Sequence, residues 1–247
     1  MALREEFEQI GNRLFRWRSY LPLFLIGLFL LGLQNFGYPR HSHVLDRTWE
    51  LFCLAISFFG LAIRMYAVGC APRGTSGRNV TEQRASSLNT TGMYSLVRHP
   101  LYLGNFFIWF GISLSTRSWW LASMGVLIFW LYYERIIFAE VEFLRREFGD
   151  VFLNWAKNTP AFLPTKFSNW RPSELPFKMR NALRREYSGF FGIIAVYSLL
   201  DLVEETMTEG QLRVDTLWAW LFIIGLAVYM VLMTLKKRTH ILDVEGR

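Results

Sequence analysis

The chain has 247 residues, of which 52% are hydrophobic and 17% aromatic, while only 19% are charged. Soluble domains carry about 25% charged residues, and here the apolar residues come in blocks of the length that crosses a bilayer as a helix. The net charge of +7 follows a membrane pattern, set out below, so no nucleic-acid partner is expected.

Residues 1–19 are mixed and charged, and no small-residue cleavage site follows the first apolar block, so no cleavable signal peptide is expected. Leu3, Phe7, Ile10, Leu14 and Trp17 recur at steps of three and four, which predicts an amphipathic helix lying on the membrane surface. Six apolar blocks follow, at about 20–38, 49–68, 101–114, 119–139, 187–202 and 217–235. The third and fourth form a tight pair joined by Ser115-Thr116-Arg117-Ser118, and the third is short for a full crossing. The expected fold is therefore all-α, a polytopic transmembrane bundle of about six spans. It divides into a surface helix at 1–19, a core at 20–186 and two extra spans at 187–247.

Lysine and arginine confirm the pattern by their distribution. Residues 1–19, 69–100, 135–186 and 236–247 hold 22 of them, the alternate loops hold 4, and Arg64 lies inside the second span. So uneven a split is a positive-inside signal. It puts both termini in the cytoplasm and gathers the long loops 69–100 and 135–186 on that side, in a bacterial inner membrane or the endoplasmic reticulum. The Asn79 and Asn89 matches to the glycosylation pattern then read as chance. Gly69 to Gly74 has P-loop glycine spacing, but Thr75 stands where the lysine must be. Cys53 and Cys70 are 17 positions apart in one block, which precludes a disulfide if the block is one helix. Four histidines without clustered ligands offer no zinc site, and no metal is expected.

Three segments collect the polar chemistry. In Gly92-Met93-Tyr94-Ser95-Leu96-Val97-Arg98-His99-Pro100-Leu101-Tyr102-Leu103-Gly104-Asn105 a loop enters the third span, and Pro100 keeps His99 out of the helix. Taken alone, these residues also suit a charged collar at a membrane boundary. Glu134, Arg135, Glu140 and Glu142 follow at the end of the fourth span. They suit either a site for a cationic cofactor or a helix that turns polar as it leaves the membrane. Asn158-Thr159-Pro160-Ala161-Phe162-Leu163-Pro164 is too rich in proline to continue a helix and, alone, reads as a loop returning to the membrane.

Together, the order Gly-x-Tyr-x-x-x-Arg-His-Pro-x-Tyr-x-Gly, a Glu-bearing helix ending Phe148-Gly149, and Pro-x-Phe-Leu-Pro resembles one family over residues 92–164. It is the integral-membrane family of isoprenylcysteine carboxyl methyltransferases and phospholipid N-methyltransferases. The resemblance implies S-adenosylmethionine as cofactor, bound in a cytoplasmic pocket, and a lipid or lipidated substrate that enters sideways from the bilayer. Carried over, Tyr94, Val97, His99, Tyr102, Gly104 and Glu140 are expected to bind the cofactor. Arg98 and Arg135 are expected to orient or polarise the accepting group, and Glu142 or His99 is the candidate base if that group is an amine. Two departures stand out. Val141 replaces the second glutamate of the family's usual pair, with Glu142 one residue on, and Thr159-Pro160 replaces Val-Pro.

The chemistry is consistent with the resemblance. A carboxylate offsets the charge of a sulfonium, His or Arg binds the cofactor's carboxylate, and tyrosine rings stack on adenine or attract the cation. Methyl transfer asks mainly for positioning and exclusion of water. The expected acceptor is a phospholipid or lipid-phosphate headgroup, with a prenylated cysteine carboxylate as the alternative and a small thiol more remote. Outside this class stand a membrane reductase using a nicotinamide cofactor and a non-enzymatic channel, transporter or scaffold. The oligomeric state is not legible.

Overall fold

The computed structural model describes residues 2–18, 20, 25–27, 29, 43–72, 75, 85–212 and 214–245. The helices are α1 (Leu3–Trp17), α2 (His43–Cys70), α3 (Pro100–Ser115), α4 (Trp119–Asn158), α5 (Met179–Glu209) and α6 (Thr216–Arg238). No strand occurs among the described residues. Most of the first apolar block, 20–38, lies outside the described residues, although Leu25 and Phe29 are seen buried in the core. The predicted all-helical bundle is what the chain forms.

Among the described residues, three helices are long and apolar enough to cross a membrane: Val44–Cys70, Trp119–Asn158 and Thr216–Arg238. Their outer faces are apolar. Trp119, Leu127, Trp130 and Leu131 of α4 and Trp220, Ile223, Ile224 and Val231 of α6 are all exposed, as expected where the surrounding solvent is hydrocarbon. The 16 residues of α3 reach about 24 Å, short of a hydrocarbon core of about 30 Å.

Small residues let α2 and α3 approach closely, the usual device where lipid gives helices no hydrophobic reason to associate. A Cβ added to Gly104 would lie 2.6 Å from the Gly60 carbonyl oxygen, and one on Gly111 would lie 2.5 Å from that of Cys53. Ser57 closes the same seam by donating to the Ile108 carbonyl at 3.0 Å. On the other side of α2, Tyr197 of α5 stacks on Trp218 of α6 with centroids 5.7 Å apart. Cys53 and Cys70 are both free and buried, as their shared helix requires.

The two ends of the bundle differ in chemistry. At one end, Arg117 turns the chain from α3 into α4 with φ +54. Its guanidinium pairs with Asp46 of α2 and Glu204 of α5 and lies 4.0 Å from Glu50. Trp218 donates to Glu50 at 3.1 Å. The carboxylates of Asp46, Glu50 and Glu204 thus come within 4.8 Å of one another, a grouping that their sequence separation hides.

At the other end the loops 69–100 and 135–186 meet, as the distribution of basic residues predicts. Gly92 N–H donates to Arg171 O at 2.9 Å, Arg98 N–H to Pro160 O at 2.9 Å, His99 N–H to Ala161 O at 3.2 Å and Lys178 N–H to Gly69 O at 3.0 Å. The long helix α4 is broken by Gly149, whose φ of +51 and ψ of −126 suit glycine. Past this kink the chain doubles back over the loop that carries His99.

Candidate cofactor and acceptor site

A cleft opens at this end, enclosing about 1060 Å³ of free space with its open mouth included. Local sequence explains its walls. Gly92 adopts φ +60 to start a 3-10 turn over Gly92–Ser95, and the Ser95 hydroxyl donates back to the Gly92 carbonyl at 2.7 Å. Pro100 occupies the first turn of α3, with His99 as the non-helical residue before it. Phe162 of the Pro-x-Phe-Leu-Pro segment inserts into an aromatic cluster, 5.8 Å from both Phe106 and Trp130 and 6.2 Å from Phe129. That anchor holds the Pro160 and Ala161 carbonyls against Arg98 and His99. Trp155, beyond the Gly149 kink, reaches the Tyr94 carbonyl at 3.3 Å.

Five of the expected residues line the cleft: Tyr94, Arg98, His99, Tyr102 and Glu140. His99 is 5% exposed. Its Nδ1 lies 3.3 Å from Glu140 Oε2, and its ring stacks on Tyr102 at 5.6 Å and 15°. His99 Nε2 and Arg98 Nε are buried with no hydrogen-bond partner among the described residues. Such atoms cost free energy unless a ligand or water meets them. Burial pulls the Arg98 guanidinium below its ordinary range, and burial, with Glu140 beside it, pushes the Tyr94 phenol up.

Four expected residues lie elsewhere. Val97 is fully buried and packs with Leu103, Phe129, Tyr133 and Phe162 beneath the cleft. Gly104 faces Arg64 and the Gly60 carbonyl, so it serves helix packing. Arg135 stacks on the Phe7 ring of α1, 3.4 Å from its centroid. Glu142 pairs with Arg4 of α1. Residues 140 and 142 are about 200° apart around a helix, so α4 shows one carboxylate to the cleft and the other to α1. Among the described residues, no accepting-group role for Arg135 or base role for Glu142 follows from this arrangement.

Other residues enter from places the motif does not cover. Arg64 of α2 lines the cleft. It grips Glu186 of α5 at 2.9 and 2.8 Å and donates to Asn105 Oδ1 at 2.6 Å. Asn105 in turn donates to the Tyr133 hydroxyl at 2.8 Å. Phe15 and Arg18, at the end of α1, and Asn89, in the loop before the 3-10 turn, also face the cleft. Arg64 carried a signal, since an ionised residue within a span is expensive and marks a site or a partner; the others carried none.

Residues 51–151 match the sequence profile of the phospholipid methyltransferase family, a stretch that runs from within α2 through the cleft loop and α3 into most of α4. Among curated relatives, the nickel-cobalt-cadmium resistance protein NccN of Alcaligenes xylosoxydans xylosoxydans is 36% identical over 156 residues, 62% of this chain and 65% of its own length. The cobalt-zinc-cadmium resistance protein CzcN of Cupriavidus metallidurans is 33% identical over 138 residues, 55% of this chain and 59% of its own. Protein-S-isoprenylcysteine O-methyltransferase of Schizosaccharomyces pombe is 33% identical over 78 residues, 31% of this chain and 33% of its own. The chain thus spans less than two thirds of the length of each of these relatives. No solved structure matches.

Proposed function

We propose that the chain is an S-adenosylmethionine-dependent methyltransferase acting on a membrane-embedded lipid acceptor, a phospholipid or lipid-phosphate headgroup. A prenylated cysteine carboxylate is the alternative acceptor. The observation that carries the reading is the cleft itself. Glu140, buried His99 with Nε2 unmet, and the rings of Tyr94 and Tyr102 converge where the chain matches a methyltransferase family. When bound, S-adenosylmethionine supplies an electrophilic methyl group. Glu140 offsets positive charge, His99 Nε2 meets a polar group of the ligand, and the two tyrosines offer ring faces. Phe15, Phe143 and Leu144 line the cleft and exclude water from it. The basic-loop pattern supports a cytoplasmic cleft and cytoplasmic termini.

Two relatives are named for metal resistance, and Asp46, Glu50 and Glu204 could in principle hold a cation. The metal-binding reading is the weaker one, because Arg117 already pairs with Asp46 and Glu204. The deciding experiment measures binding of S-adenosylmethionine and of a nicotinamide cofactor to protein in dodecyl maltoside, with His99→Ala beside it. Saturable binding of S-adenosylmethionine, weakened at least about tenfold by the substitution, is expected. Nicotinamide binding alone would put the reductase reading in its place.

A further inference from the structure

A second hollow adjoins the cleft. It encloses about 1190 Å³ of free space with its open mouth included, and Trp155 lines both. Its walls are polar. Asn154 and Asn158 come from α4 beyond the Gly149 kink, Thr90 from the loop before the 3-10 turn, and Ser168 and Arg171 from the segment that leads to α5. Among the described residues that line it, Arg171 is the one ionised side chain and none is a carboxylate.

Trp170 joins this hollow to the end of an apolar helix. Its ring lines the hollow and lies 6.0 Å from Tyr66 of α2, and Phe177 stacks on the same Tyr66 at 6.0 Å and 9°. Tyr66 is about one turn from the end of α2 at Cys70. There the bond from Lys178 N–H to Gly69 O holds the segment. Trp170 and Phe177 remain 40% exposed, so ring faces stand open at the level where tryptophan and tyrosine gather in membranes. Lys166, Arg171, Lys178 and Arg180 of this segment are exposed too. None of the four pairs with a carboxylate among the described residues. Glu174 is the one acid between 166 and 180.

We infer that an anionic phospholipid of the adjoining leaflet seats its headgroup in this hollow, phosphate at Arg171, with its chains against Trp170 and Phe177. A guanidinium forks onto a phosphate, the amides and hydroxyls suit a headgroup that carries hydroxyls, and the neighbouring cations favour a negative surface. This lipid is an effector and not the methyl acceptor, since Trp155 is the one residue of the hollow that also lines the cleft among those described. The two are nevertheless tied. Arg171 N–H donates to Ser95 Oγ at 3.0 Å, Gly92 N–H to Arg171 O at 2.9 Å, and Trp155 Nε1–H to the Tyr94 carbonyl at 3.3 Å. These bonds hold the 3-10 turn that brings Tyr94 to the cleft. A lipid that fixes Arg171 and Trp170 therefore favours the formed cleft, and a cleft ligand strengthens the lipid by the same factor. That coupling rests on the methyltransferase reading for the ligand that reports it; the lipid site does not.

The test uses the full chain in phosphatidylcholine nanodiscs that contain phosphatidylglycerol, with bromine carried by one lipid or the other at equal mole fraction. The difference in quenching between the wild type and Trp170→Phe gives the share of Trp170. Brominated phosphatidylglycerol is expected to quench Trp170 more than brominated phosphatidylcholine does. Arg171→Gln, which keeps the main-chain bonds, is expected to weaken that preference about fivefold, Lys178→Gln to weaken it further, and high salt to erase it. Equal quenching by the two lipids would overturn the anionic site, and no quenching of Trp170 by either would overturn the lipid. Displacement of the brominated lipid by dissolved glycerol phosphate would give the hollow to a soluble phosphate ester instead. Calorimetry of S-adenosylmethionine in discs with and without phosphatidylglycerol reads the coupling, expected at about fivefold in the wild type and lost in Arg171→Gln. Equal affinity in both discs would overturn the coupling. Absence of S-adenosylmethionine binding in every disc would sink the methyltransferase reading and leave the quenching result standing.

Discussion

The arginine in the middle of α2 shows how much one residue carries. Arg64 is held by two bonds to Glu186 and one to Asn105, and Glu186 is only 4% exposed. Removing one member of a buried ion pair strands the other, at about 3–5 kcal/mol, whereas replacing both by apolar residues of similar volume is often neutral. Arg64→Met is therefore expected to lower thermal stability in detergent sharply, and Arg64→Met with Glu186→Met to recover most of it. If the double variant melts no higher than the single, the pair is not the anchor described. The sequence marks Arg64 as unusual by placing a cation within an apolar run, but its partner is 122 positions away, beyond any helical spacing. Motif residues were legible for a different reason: His99, Pro100 and Tyr102 sit in the one turn that opens α3, whose local geometry proline dictates.

At the scale of the element, α4 has two working faces. Glu140 looks into the cleft and Glu142 at α1. On the proposed function, Glu140→Gln is expected to weaken S-adenosylmethionine binding at least about tenfold, from loss of a full charge at the cleft. Glu142→Gln is expected to change it less than about threefold, since it loosens only a contact whose arginine is largely exposed. Equal losses in both would return Glu142 to the site. Spacing alone says that the two carboxylates diverge. It cannot say which faces the cavity, because that depends on where α1 docks, and α1 has no motif. The amphipathic pattern of 1–19 did predict the helix. Phe7, Gly11 and Phe15 turn toward α4, while Leu3, Ile10 and Trp17, seven residues apart, stay exposed on a face suited to a membrane surface.

For the whole molecule, hydropathy and the basic-loop rule foresaw the helical bundle and the joining of two distant loops at one end. The tight acidic group around Arg117 at the other end was not legible, since Asp46, Glu50, Arg117 and Glu204 come from two helices and a turn that lie far apart in the chain. The two-ended arrangement predicts opposite accessibility. Trp119→Cys and Phe167→Cys replace residues 81% and 72% exposed, while the native Cys53 and Cys70 are buried. A membrane-impermeant maleimide should label Trp119→Cys in intact cells and Phe167→Cys only in inside-out vesicles. Labelling of both from one side would refute the orientation.

The bonds from Arg98 and His99 to Pro160 and Ala161 also bear on biosynthesis. A ribosome delivers the chain from its amino end, so the loop that carries His99 emerges well before the segment that fixes its backbone. Until α4 has been inserted, bent at Gly149 and followed by Phe162, the nascent protein has no formed pocket. A ligand of the cleft can therefore assist only the last steps of maturation, and a ribosome stalled before that segment leaves a membrane-inserted product without the cleft.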